Sequence, residues 1–115
     1  MLMKKNYTIR TRIWIDEKEG PFLGIGRVVL LEKIQQTGSI TRAAKEIKMS
    51  YRQAWQLVED MNQRAEQPLV EKILGGKNGG GAILTNTGEK AIKTFYALEQ
   101  KVKKFVATES KELKF

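Results

Sequence analysis

Two serines eleven residues apart, Ser39 and Ser50, constrain this chain more than any other feature. Each stands directly before an amphipathic segment, in the residue type and place of a helix N-cap, where a side-chain oxygen accepts from a backbone N–H two or three residues on. The first segment, Ile40 to Ile47, turns Ala43, Ala44 and Ile47 to one side. Lys48 and Met49 form the turn. The second segment, Tyr51 to Arg64, repeats Ala54, Leu57, Val58 and Met61 at helical spacing. A short helix, a tight turn and a longer helix, with alanines where the two cross closely, have the spacing of a helix-turn-helix whose second helix enters the DNA major groove. The plain alternative is a helical hairpin with solvated polar residues. Caps, alanines and a polar outward face together favour the first reading.

The flanking segments read as support for that unit. Val28, Leu30, Leu31 and Ile34 mark a helix over Gly26 to Gln36, stopped by Thr37-Gly38 with the glycine in the C′ place. Upstream, Tyr7, Ile9, Thr11, Ile13 and Ile15 share one face and Thr8, Arg10, Arg12, Trp14 and Asp16 the other, which predicts a strand, followed by a polar break ending in Gly20-Pro21. Downstream of Pro68, Leu69–Leu74 and Ala82–Thr85 read as strands around the glycine-dense stretch Gly75–Gly81, a hairpin in the position of a wing. Thr87 is the expected cap of a last helix running from Gly88 to about Thr108. On it Ala91, Phe95, Leu98, Val102 and Phe105 are spaced four, three, four and three, as in a coiled-coil seam. A helix of ~20 residues is ~30 Å long. A domain this small cannot cover it, so the seam predicts dimerisation.

The expected fold is therefore mainly α with a small β-sheet: a winged helix-turn-helix with an N-terminal strand, a three-helix core, a β-hairpin wing and a long C-terminal helix. One domain is expected over 1–115, with the helix-turn-helix at 39–65, the wing at 69–85 and the dimerisation helix at 87–108.

In such a unit the base-reading residues lie at the start of the second helix: Ser50, Tyr51, Arg52, Gln53 and Gln56. Arg pairs with guanine O6 and N7, and Gln with adenine N6 and N7, each worth about 1–3 kcal/mol of discrimination. Ser39, Thr41 and Arg42 would clamp the phosphate backbone at the first helix start. At the wing tip, Lys77 supplies charge and Asn78 hydrogen bonding, while glycines let backbone amides approach a phosphate. A nucleotide-binding loop is not indicated, since the stretch lacks a Gly-Lys-Ser/Thr ending and a strand follows it. Burial or a half-buried place is expected for Trp55, and Tyr51 is left open between a DNA contact and packing. Glu59 and Asp60 lie further along, where the helix would leave the groove.

Composition narrows the function classes. A net charge of +8 fits a polyanion partner if the charge lies beside the helix-turn-helix. With no cysteine and no histidine, a disulfide framework, a thiolate metal site and the commonest catalytic base are excluded. No catalytic constellation, metal site or cofactor is expected. No apolar run reaches signal-peptide or transmembrane length, so a cytoplasmic protein is expected.

The stretch Gly38 to Gly88 resembles the N-terminal DNA-binding domain of ModE-type molybdate-responsive transcriptional regulators. The resemblance is carried by Gly38-Ser39-Ile40, Ala43-Ala44, Met49-Ser50-Tyr51, Ala54-Trp55, Met61-Asn62, Pro68-Leu69-Val70-Glu71, Gly75-Gly76-Lys77, Gly79-Gly80-Gly81 and Leu84-Thr85-Asn86-Thr87-Gly88. LysR-type regulators share the arrangement more loosely. The resemblance implies a winged helix that binds double-stranded operator DNA, an inverted repeat, as a homodimer. It places DNA reading on Ser50, Tyr51, Arg52 and Gln53, and the wing on Lys77 and its glycines. Lys48 departs from the pattern, standing where many helix-turn-helix motifs have glycine. Full-length members carry C-terminal molybdate-binding domains for which this chain has no room, so molybdate sensing in that form is not expected. Two other readings compete: a sensor with an effector pocket at the dimer interface, lined by Trp14, Phe22 and Tyr96, and a protein-interaction module without specific DNA readout.

Overall fold

The computed structural model describes residues 3–73 and 81–115. The predicted wing tip with Lys77 and Asn78 lies outside the described residues. Among the described residues, eight elements follow in order: β1 (Ile15–Glu17), β2 (Gly20–Leu23), α1 (Ile25–Thr37), α2 (Ile40–Glu46), α3 (Tyr51–Arg64), β3 (Val70–Ile73), β4 (Gly81–Leu84) and α4 (Asn86–Lys111). The arrangement is that of a winged helix-turn-helix.

The helix-turn-helix forms as its caps dictate. Ser39 Oγ accepts from the Arg42 N–H and Ser50 Oγ from the Gln53 N–H, each at 3.1 Å. Ala43, Ala44 and Ala54 are essentially inaccessible, which lets α2 and α3 cross closely. Lys48, between them, adopts φ 56°, the left-handed conformation that favours glycine. Gly38 takes φ 69° at the end of α1, and its N–H donates to the Ile34 carbonyl. Its carbonyl accepts from the Ala82 N–H at 2.9 Å, tying the entry to α2 to the wing strand β4.

The N-terminal strand is shorter than the alternation predicts. Only Ile15, at the end of the alternating run, begins a ladder; β1 pairs with β2, so the polar break is itself a hairpin, with Glu17 opposite Gly20. Alternation reports a segment's two-faced character but not where its partner is. Residues 3–14 instead form an arm that runs along the far half of α4. There the Ile9 N–H donates to Ser110 Oγ at 2.9 Å, and the Tyr7 ring meets Phe115 edge-on at 5.1 Å.

The helical cap of α4 is Thr85, not Thr87: Thr85 Oγ1 accepts from the Gly88 N–H at 3.1 Å. The same hydroxyl donates to the Pro68 carbonyl at 2.6 Å, and the Thr85 N–H to the Leu69 carbonyl at 2.9 Å, so the start of α4 is pinned to the start of β3. Gly88 lies against the Leu69 carbonyl and the Leu84 side chain, with no room for a Cβ. The helix continues to Lys111, a turn beyond the expected end.

The predicted seam on α4 divides. Ala91 and Phe95 belong to the chain's own core, where Phe95 is the largest fully buried side chain, packed with α1 residues Leu30, Leu31 and Ile34. They offer nothing to a partner, because α1 and β4 already cover that part of α4. Val102 is half-buried and lines a groove with the arm residues Thr11 and Ile13. Leu98 and Phe105 remain open at 36% and 66% exposure. Among the described residues, no helix is long and apolar enough to cross a membrane.

Candidate nucleic-acid interface

The first turns of α2 and α3 present one polar surface. Thr41 and Arg42 on α2 are exposed, as are Tyr51, Arg52, Gln53 and Gln56 on α3. Among the described residues, the side chains of Arg42, Arg52, Gln53 and Gln56 make no hydrogen bond or ion pair, so the fold does not use them. Ser39 and Ser50 are used as caps, but capping occupies only the acceptor of a hydroxyl. Its proton stays available to a phosphate oxygen. Lys45 and Lys48 are also exposed around this surface, making it locally positive.

Trp55, expected to be buried or half-buried, is instead exposed at 39%, since it lies on the outward side of α3, and Tyr51 is 53% exposed. The indole of Trp55 carries the Lys72 ammonium 4.3 Å from its centroid, and Lys72 also pairs with Glu59. Lys72 therefore bridges the wing strand β3 and the outward side of α3. It was not singled out from sequence. The available signal was its place in β3: opposite Ala82 in register, on the face turned toward α3.

The second acidic residue of α3, Asp60, is neutralised from behind. Asp60 accepts from Arg27 of α1 at 2.5 Å and from Arg64 at 3.1 Å, and Arg64 reaches Glu17 of β1 at 3.3 Å. Burial works to raise the Asp60 pKa, but the hydrogen bonds and charges of the two arginines outweigh it, and the carboxyl titrates below its usual range. Asn62 fastens α3 to β3, its side chain bonded to the backbone of Leu69 and Val70. These contacts fix the angle between α3 and the wing strands.

The three aromatic residues suggested for an effector pocket are not brought together. Trp14 faces a small groove with Ile25 and Glu99, Phe22 lines a separate cleft with Arg64 and Thr94, and the Tyr96 hydroxyl donates to Glu32. Burial first, then the Glu32 carboxylate, pushes the Tyr96 pKa up to about 12.

Charge placement also differs from expectation. The arm (3–14) and the outer part of α4 with the tail (99–115) carry nine Lys and Arg against three Glu, a surplus of six out of the formal +8. Most of the net charge thus lies on this stalk and not beside the helix-turn-helix.

A capped two-helix motif with an unused basic and amide-bearing first turn, buttressed by a two-stranded wing, defines a DNA-binding regulatory module. The family model for the bacterial regulatory helix-turn-helix protein, lysR family, matches residues 25–89, and the chain belongs to that family, one of transcriptional regulators and not of enzymes. Among curated relatives, the molybdenum-pterin-binding protein MopB of Rhodobacter capsulatus is 44% identical over 97 residues, covering 84% of this chain and 36% of its own. The molybdenum transport protein ModE of Azotobacter vinelandii is 42% identical over 88 residues, 76% of this chain and 33% of its own. The DNA-binding transcriptional dual regulator ModE of Escherichia coli K12 is 45% identical over 74 residues, 64% of this chain and 28% of its own. The chain spans about a third of the length of these relatives.

Proposed function

We propose that this chain is a sequence-specific DNA-binding unit of a ModE-type transcriptional regulator, acting in the cytoplasm as a homodimer on an inverted-repeat operator. The observation that carries it is the unused first turn of α3. Arg52, Gln53 and Gln56 are exposed, free of partners among the described residues and set at the end of a helix that enters a groove by its N-terminus. Arg52 and the glutamines read base edges. Ser39, Thr41, Arg42 and the N-terminal amides of α2 and α3 hold the backbone. Lys77 and Asn78 contact phosphate from the wing. Leu98 and Phe105, on the open face of α4, meet a second copy about a two-fold axis, which sets two recognition helices on two half-sites.

Selection from random-sequence duplexes followed by sequencing, at two salt concentrations and with and without molybdate, tests this. An enriched inverted repeat is expected. Salt-sensitive binding without an enriched motif overturns specific readout and favours an interaction module. A molybdate effect would place oxyanion response within this chain.

A further inference from the structure

We infer that the N-terminal arms of two copies of this chain pair with each other as an antiparallel two-stranded ribbon across the dimer axis, centred on Thr11. The inference rests on the homodimer proposed above and says how its outer half is closed. Three observations carry it.

The arm has the sequence of a strand without a strand's bonds. Tyr7, Ile9, Thr11, Ile13 and Ile15 alternate with Thr8, Arg10, Arg12, Trp14 and Asp16, yet no ladder forms before Ile15. Among the described residues, one hydrogen bond holds the arm's backbone, from Ile9 N–H to Ser110 Oγ. An extended segment with unpaired N–H and C=O groups is a template for another extended segment.

The arm is also self-complementary in one register. Antiparallel pairing about Thr11 sets Ile9 opposite Ile13 and Tyr7 opposite Ile15, so the whole β-branched and aromatic set falls on one face. Such cross-strand pairs are the ones that stabilise a sheet. A one-residue slip would turn one copy's set outward. The pairing places Arg10 opposite Arg12 on the other face, which is exposed in both residues.

The arm is continuous with an open sheet edge and with the uncovered part of α4. It leads directly into β1, whose only partner among the described residues is β2, so a ribbon would extend that sheet. Ile9 at 37% exposure, Trp14 at 58% and Phe105 at 66% are apolar residues left in water on the stalk of the single chain.

The chain has no cysteine, so one introduced thiol reports one contact. Residues directly opposite in an antiparallel pair have Cα atoms about 4.5–5.5 Å apart, inside the disulfide range. Thr11→Cys should therefore form an interchain disulfide rapidly under mild oxidation. Ile9→Cys should not, since a four-residue offset from its own copy separates the two by about 13 Å. Both variants are followed by non-reducing gel and by sedimentation under reducing conditions. A dimer that cross-links through Thr11→Cys and not through Ile9→Cys supports the ribbon. A dimer that cross-links through neither, or equally through both, overturns the ribbon and leaves the dimeric reading standing. A monomer in every variant and in the parent overturns both.

Discussion

Asn62 and Val70 are joined by a reciprocal pair of hydrogen bonds: Asn62 Nδ2 donates to the Val70 carbonyl at 3.0 Å, and Asn62 Oδ1 accepts from the Val70 N–H at 3.2 Å. The same oxygen accepts from the Leu69 N–H at 2.8 Å. Leu69 and Val70 are buried, so their backbone groups have little recourse to water. Asn62→Ala should cost about 2–3 kcal/mol of stability, the cost of leaving such groups unsatisfied, measured by urea unfolding. It should also loosen the wing relative to α3. At a temperature where the variant is fully folded, its DNA affinity should fall and its dependence on salt should become shallower. A variant with parental affinity and salt slope would mean that the wing is positioned without Asn62, by β4 and the Lys72 contacts to α3.

The Asp60 carboxylate sits between Arg27 and Arg64. Its pKa is lowered in the folded chain, so its contribution is present above the unfolded value, near 3.8, and is lost as pH falls through the folded one. Asp60→Asn should cost about 1.5–2 kcal/mol at pH 7, the lower end of the range for hydrogen bonds to charged groups, since the carboxylate is partly exposed. The difference between variant and parent should shrink steadily below pH 4. Equal losses at pH 7 and pH 3 would assign the effect to packing and not to charge.

How much of this could be read from the chain follows from how local each cause is. Ser39 and Ser50 act on amides three residues away, and α3 begins and ends where its pattern says. Gly38 is likewise a local requirement of left-handed backbone, met by the residue type. The cap of α4 was misplaced by two residues because Thr85 and Thr87 are equally good on local grounds. The choice falls to Thr85 through its bonds to Pro68 and Leu69, which are distant in sequence. The same holds for Ala91 and Phe95. Their spacing is that of a seam, and only the packing of α1 against α4 shows that the chain itself fills it. Among the site residues, the exposed turn of α3 was legible because amphipathicity fixes which face is outward. The Lys72–Trp55 contact was not, since it depends on how a wing strand docks on a helix.

Arg52 occupies the first turn of α3, exposed and without a partner among the described residues. Arg52→Ala should leave stability within about 0.5 kcal/mol of the parent while costing about 1–3 kcal/mol at the one base pair it reads. Lys77→Ala should instead weaken binding evenly across sequences and reduce the salt slope by about one unit. Competition binding against a panel of single-base variants separates the two effects. An Arg52→Ala protein that loses affinity equally for every site would reassign Arg52 to the backbone.

The surplus of six positive charges on the stalk gives dimerisation and DNA binding opposite responses to salt. Two stalks that meet through Leu98, Phe105 and the arms bring like charges together, and salt screens this repulsion. The screening length falls from about 30 Å at 0.01 M to about 8 Å at 0.15 M. DNA binding releases counterions and weakens as salt rises. The DNA-free protein should therefore dimerise more tightly at 0.5 M than at 0.05 M salt, while its affinity for duplex falls over the same range. Sedimentation equilibrium measures the first and fluorescence anisotropy the second. Phe105→Ala should weaken the dimer at both salt concentrations, because it removes apolar area and not charge. A dimer indifferent to Phe105 would take that side chain out of the interface, and a dimer that loosens with salt would place the interface on a part of the chain other than the stalk, since loosening requires attraction between charges where the stalk offers repulsion.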